Sequence, residues 1–185
     1  MNAFEFLFSF YGLLLGLTLV EVVSGFSRAL DARDERPMGL ILPLLTGVMI
    51  MDIATQWGSA WRDFREVDFS FRYLVAALFM TLAYYFSATQ LFPRDRSSVK
   101  SLDEHFFKHR LAILGGVLFA NVLVTYDAMS KEYATNGADA LFWTRMAANL
   151  YWFATIITAL VAKSRTVVAI ALAANLIFIT YWLLR

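Results

Sequence analysis

Cysteine is absent from the 185 residues, histidine occurs twice and proline three times. The missing thiols exclude disulfides, thiolate metal sites, iron–sulfur ligation and palmitoylation. Charge is scarce too, at 17% of residues against about 25% in soluble domains. Neither sign dominates: 16 Lys and Arg face 15 Asp and Glu, a net charge of +1, so the chain carries no basic footprint for nucleic acid. What it has in excess is apolar surface, with 59% hydrophobic and 16% aromatic residues. A water-soluble ball of this size could not hide so much of it. That excludes a soluble enzyme and leaves a membrane protein.

Runs long enough to cross a bilayer need about 17–25 apolar residues. Six qualify, over Glu5–Ser27, Met38–Ala60, Phe71–Leu91, Lys108–Met129, Ala140–Val161 and Val167–Leu184. Nearly all the charge falls between them, and the absence of period-2 alternation argues against a lipid-facing barrel. The first run has no basic flank at Met1–Asn2 and no small-residue cleavage site, so it is expected to anchor the chain. Punctuation agrees: Pro37 and Pro43 open the second run, Pro93 closes the third, and Asn136–Gly137 marks a turn before an Asp139 cap. Ser101-Leu102-Asp103-Glu104 reads as a capping box, which starts the fourth helix near Leu102, two turns before its apolar run. No repeat or linker interrupts the pattern. The expected fold is all-α: residues 1–185 as a single six-helix transmembrane domain.

Orientation follows from Lys and Arg at the ends of the runs. Arg28, Arg33, Arg36, Arg94, Arg96, Lys100, Lys108, Arg110, Lys163 and Arg165 share one side; Arg62, Arg65, Arg72, Lys131, Arg145 and Arg185 share the other. Ten against six puts both termini outside the cytoplasm, and Trp57, Trp61, Trp143 and Trp182 then form an outer aromatic belt.

Ionisable residues inside spans are expensive and mark interior faces. Asp52, Thr55, Gln56 and Ser59, spaced i, i+3, i+4 and i+7, put four polar side chains on one face of the second helix. Asp52 lies about 8–13 Å below the outer interface by helical rise. A carboxyl at that depth is costly to charge unless a cation sits beside it. Two readings stand: a proton- or cation-binding carboxylate in a polar cavity, or interhelical hydrogen-bond glue. Asp127, near the end of the fourth run, is expected to pair with Arg145 across the short loop to the fifth, and Asn149 shares the face of Arg145. Asn121 and Asn175 sit near mid-span, where hydrogen bonding between helices accounts for them.

Toward the cytoplasmic end, Glu21, Ser24 and Arg28 align on the first helix, while His105 and His109 are neighbours at i, i+4 on the fourth. The histidine face continues through Ala112, Gly116 and Ala120, small residues that admit a close neighbour. If that neighbour is the first helix, Glu21 and the two histidines converge, as a proton relay or a metal site. A simply hydrated helix start is the other account. Glu5, Ser9, Gly12 and Gly16 mark an opposite face of the first helix; with two such faces it is expected to be central in the bundle or buried in an oligomer.

Sharper chemistries fail on arithmetic. Retinal needs a mid-span lysine, yet Lys100, Lys108, Lys131 and Lys163 lie at ends or loops. Histidines at i, i+4 on one helix approach a haem from the same side, and di-iron oxidases need more than two. No Ser-His-Asp order, Gly-rich phosphate loop or zincin motif appears. No cofactor and no catalytic residue is expected, and an enzyme is disfavoured.

Two stretches, Leu15-Gly-Leu-Thr-Leu-Val-Glu-Val-Val-Ser-Gly-Phe-Ser-Arg-Ala-Leu-Asp-Ala-Arg33 and Leu102-Asp-Glu-His-Phe-Phe-Lys-His-Arg110, together resemble a loose group of small bacterial integral membrane proteins without an established activity. The resemblance implies a bacterial inner-membrane location and carries no site residues. Two functions fit the residues. One is an oligomeric transport- or channel-type module for an ion or small solute, with Asp52, Gln56, Glu21, Asp127, Arg145 and Asn149 along the polar path. The other is a non-enzymatic accessory or scaffold subunit that packs laterally against membrane proteins. In both, the partners are the lipid bilayer and copies of the chain or a larger membrane complex.

Overall fold

The computed structural model describes residues 3–33, 37–63, 70–93 and 101–184. They form α1 (Ala3–Asp31), α2 (Ile41–Asp63), α3 (Phe71–Leu91), α4 (Leu102–Asn136), α5 (Ala140–Val161) and α6 (Arg165–Leu184). Local chemistry sets the ends. Ser70, Ser101 and Asp139 accept hydrogen bonds from the backbone N–H groups of Arg72, Glu104 and Phe142, capping α3, α4 and α5. The expected starts of α4 and α5 are therefore where the caps put them. α4 runs on to Asn136, seven residues past its apolar run, and stops where Gly137 takes a positive φ of 68°.

Among the described residues five helices are long and apolar enough to cross a membrane: α1, α2, α3, α4 and α6. α5 falls short because Arg145, Asn149 and three threonines dilute its apolar residues. The helices close a ring in the order α1, α3, α4, α5, α6, α2, and α2 also touches α4 across it. That cross-contact divides the ring into two four-helix compartments sharing α2 and α4. α2 is thereby the most enclosed helix, with no large apolar residue exposed between Leu40 and Trp57. The central position expected for α1 belongs to α2: α1 packs on α3 and α2 and leaves Leu13, Leu17, Val20 and Val23 exposed. Gly12 seats the Trp57 ring, whereas Gly16 faces open space.

The small-residue face of α4 does find a close partner, and it is α3. A Cβ on Gly116 would lie 2.8 Å from the Ala83 carbonyl oxygen and against the Ser87 hydroxyl. Buried threonines return their hydroxyls to carbonyls one turn back, as at Thr18, Thr46 and Thr81, so they enter an apolar core without an unmet hydrogen bond. The core is one cluster, with Tyr11, Tyr84 and Phe106 its largest fully buried side chains. Outward, every helix but α2 presents mid-span apolar residues, among them Phe79 and Phe86 on α3 and Ile170 and Ile177 on α6.

Candidate functional site

The polar face of α2 turns inward. Asp52 and Gln56 are buried, at 4% and 5% exposure, where α2 meets α3 and α4. Tyr84 of α3, fully buried, donates its hydroxyl hydrogen to Asp52 Oδ2. Asn121 of α4 directs Nδ2 to Asp52 Oδ2 at 2.9 Å, to the Tyr84 hydroxyl oxygen at 2.5 Å and to its own helix at Val117 O, 3.1 Å. Gln56 Nε2 closes the circuit on Asn121 Oδ1 at 3.1 Å and reaches the Tyr84 oxygen at 3.5 Å. Three helices are joined by four side chains, with the two hydrogens of Asn121 Nδ2 shared among three acceptors. Among the described residues no cation pairs with Asp52; neutral donors hold it.

Above this cluster lies a cavity of about 1320 Å³. Its walls are the C-terminal halves of α2, α4 and α6, the N-terminal half of α5 and, at the start of α3, Ser70 and Tyr73, so α2, α4 and α6 run parallel here. Asp52, Thr55, Gln56 and Ser59 all line it, as does Asn149. Asp52 marks one end, and the opposite end reaches Arg62, Asn136 and Leu183 at the helix termini, about 15 Å away along α2. Toward the other end of the bundle, Met49, Leu114, Val117, Ile156 and Leu172 belong to the apolar core. A second cavity, of about 220 Å³ and mostly apolar, lies between α1, α2, α3 and α4 and shares Gln56, Ser59, Tyr73, Val124 and Lys131 with the first.

The charged residues of the vestibule are tied to one another, though not as expected. Arg145 pairs with Glu132, whose side chain is 10% exposed, and Asp127 pairs with Lys131 at 2.6 Å. The expected Asp127–Arg145 pair does not form. Because α4 continues to Asn136, the turn lies farther along, and Glu132, not Asp127, stands level with Arg145. Five residues on a helix also rotate by about 140°, which turns Asp127 toward the smaller cavity. Lys131 Nζ lies 5.4 Å from the centre of the Tyr73 ring. Asn149 donates to the Arg145 carbonyl at 3.0 Å and to Met129 Sδ at 3.7 Å. Arg62 donates to Ser59 Oγ at 3.3 Å.

The group expected at the other end does not assemble. Glu21 meets Arg28 of its own helix at 3.8 Å. His105 and His109 stack with ring centres 4.5 Å apart, and His105 Nε2 lies 2.9 Å from the Gln90 carbonyl oxygen of α3. Among the described residues no three His, Asp or Glu side chains are placed to hold a metal. The reason is helix order: α3 stands between α1 and α4 and takes the close face that Glu21 would need. Of the basic residues that set the orientation, Arg36, Arg65, Arg94, Arg96, Lys100 and Arg185 lie outside the described residues.

Two site residues escaped sequence reasoning. Tyr84 had a signal: Ala77, Thr81, Tyr84 and Ala88, at i, i+4, i+7 and i+11, form one small and polar stripe on α3, all buried. Trp152 had none. It lines the vestibule with its indole nitrogen buried and unpartnered, while its carbonyl accepts from Asn175 Nδ2 at 3.3 Å. Asn175 also donates to Thr155 Oγ1 at 2.6 Å, the interhelical role expected of it. No family model matches the chain, and neither a curated protein nor a solved structure matches it.

Proposed function

We propose that the chain is a six-span transport-type module that admits an ion or small solute from one face of the membrane and binds it at Asp52. The observation that carries this reading is the cavity of about 1320 Å³ that runs from the helix termini to that carboxyl. Intramembrane carboxyls facing a polar cavity serve solute and ion paths. The sixth span in this reading is α5. It exposes Leu150, Ile157 and Val161 outward, while Arg145 and Asn149 line the cavity. The excess of Lys and Arg at the opposite ends of the helices supports a reading in which the vestibule opens on the non-cytoplasmic side.

The test is flux of inorganic cations and protons in liposomes carrying the purified full chain. Asp52→Asn keeps shape and hydrogen bonding but removes the titrating group. The reading expects the folded variant to lose flux by about tenfold or more, the equivalent of one charge-assisted contact. Flux that is absent, or equal in both proteins, would return the chain to the accessory reading.

A further inference from the structure

Building on the vestibule reading, we infer that the solute is a single-chain amphiphile that comes in from the bilayer between α3 and α4, its alkyl tail in the smaller cavity and its polar head in the vestibule. The first observation is a pair of adjoining cavities with unlike walls. Tyr11, Ala60, Ala77, Met80 and Leu123 make the smaller one, of about 220 Å³, mostly apolar, whereas Asp52, Thr55, Asn121 and Asn149 face the vestibule of about 1320 Å³. Gln56, Ser59, Tyr73, Val124 and Lys131 line both, so single side chains form the partition. A molecule lying across it matches both walls only if one end is apolar and the other polar.

The second observation is where the smaller cavity reaches the surface. Ala76 and Leu123 belong to its wall and are exposed. Ala76 shares its face of α3 with Phe79, and Leu123 its face of α4 with Phe119 and Tyr126, at the helical spacings i, i+3 and i, i+4. All three rings are more than half exposed, so these are the outward faces that hydrocarbon would cover. The smaller cavity thus opens toward lipid.

The third is the frame of that opening. Below it, α3 and α4 are pressed together at Gly116, where a Cβ would lie 2.8 Å from the Ala83 carbonyl oxygen. Above it, Lys131 of α4 reaches over Tyr73 of α3, with Nζ 5.4 Å from the ring centre. Between these contacts α3 offers Ala76 and Ala77, whose single carbons leave the width between the helices unfilled. The result is a framed window. Apolar cavities stay dry and take apolar guests; one of about 150 Å³ holds the six carbons of benzene, so about 220 Å³ matches about nine carbons of a tail. That volume takes one alkyl chain and excludes the paired chains of a bilayer phospholipid.

The test uses the full chain in nanodiscs of zwitterionic lipid and two decyl glucosides, one with a photoactivatable diazirine at the tail end and one with it on the sugar. Peptide mass spectrometry maps the cross-links at subsaturating probe. The tail label should fall on Ala77, Met80 or Leu123, and the sugar label on Thr55, Ser59 or Asn149. Ala77→Phe puts a ring into the smaller cavity and should cut both labels by about fivefold or more, the least that forcing carbons into filled space costs. Ile170→Phe, on the outward face of α6, should leave both unchanged. Circular dichroism confirms folding, and Ala76→Phe, at an exposed position, replaces Ala77→Phe if that variant does not fold. A sugar label confined to the outward faces of α3 and α4 would mean that the cavity holds only a bilayer chain, and overturns the assignment; so does labelling indifferent to the ring. If neither probe labels the cavities while Asp52-dependent flux of inorganic ions persists, the solute class is wrong and the vestibule reading stands. If both fail, both readings fall.

Discussion

The Asp52 cluster should respond to mutation in a way that its geometry dictates. Asp52 Oδ2 receives two donors from two different helices, Tyr84 and Asn121. In Tyr84→Phe the oxygen keeps the Asn121 bond, and Gln56 keeps Asn121 Oδ1, so no buried group is stranded. The cost should be that of one ordinary buried hydrogen bond, about 0.5–1.5 kcal/mol. Asn121→Ala likewise leaves Asp52 its Tyr84 donor, and its cost adds a small cavity. The double variant strips both donors, and the carboxyl bears its desolvation alone, an extra loss of about 1–3 kcal/mol beyond the sum. Adding Asp52→Leu to the double variant should recover the carboxyl's share of that extra loss, while Gln56 Nε2, which loses both Asn121 Oδ1 and the Tyr84 hydroxyl, keeps its own. Reversible unfolding in mixed micelles, followed by far-ultraviolet circular dichroism, measures all four proteins. A double-variant loss equal to the sum of the singles within about 0.5 kcal/mol would refute the shared-acceptor geometry.

Other consequences are as direct. Gly116→Val should destabilise by about 1–3 kcal/mol, since the added carbons meet the Ala83 carbonyl oxygen, which cannot move aside, as well as the Ser87 hydroxyl; a neutral result in the same unfolding assay would contradict the α3–α4 approach. Asp127→Asn removes a half-exposed i, i+4 partner of Lys131 and should cost under about 0.5 kcal/mol, whereas Glu132→Ala, which strands the cation of Arg145 from a nearly buried carboxylate, should cost more. The chain has no cysteine, so single cysteines report access cleanly. Thr55→Cys and Asn149→Cys should react with a membrane-impermeant maleimide, and Leu114→Cys, fully buried in the core, should not; equal labelling of all three would remove the vestibule.

The parts of this structure that are local in sequence could be read from it. Ser101 and Asp139 cap helices because a side-chain oxygen two or three residues before a backbone N–H needs no distant partner. Asp52, Gln56 and Ser59 share the cavity wall because helical spacing alone puts them on one face. What failed depended on neighbours along other helices. The stripe through Gly116 announces a close partner but carries no mark of which one, and ring order assigned it α3 instead of α1. The partner of Arg145 turned on how far α4 runs past its apolar residues, and polar helix turns beyond a hydrocarbon edge leave no hydropathy signal. Tyr84 was ambiguous by chemistry, since a tyrosine in an apolar helix serves equally as an interfacial anchor. Trp152 counted as apolar bulk, and only the packed bundle shows that the nitrogen of its ring is buried without a partner.

The length of α4 bears on the bilayer itself. Its 35 residues span about 52 Å, yet between Arg110 and Asp127 the uncharged rise is about 26 Å. Arg110 cannot retreat freely from that boundary, because its guanidinium donates to the Ala162 carbonyl at the end of α5, 2.6 Å away. A typical hydrocarbon core is about 30 Å thick, so lipid must thin around this helix or charge must enter it, at fractions of a kcal/mol for each ångström of mismatch. Shorter acyl chains remove that misfit. For α4 as a membrane span, acyl-chain length would thus act as a lateral load on the wall between the two compartments.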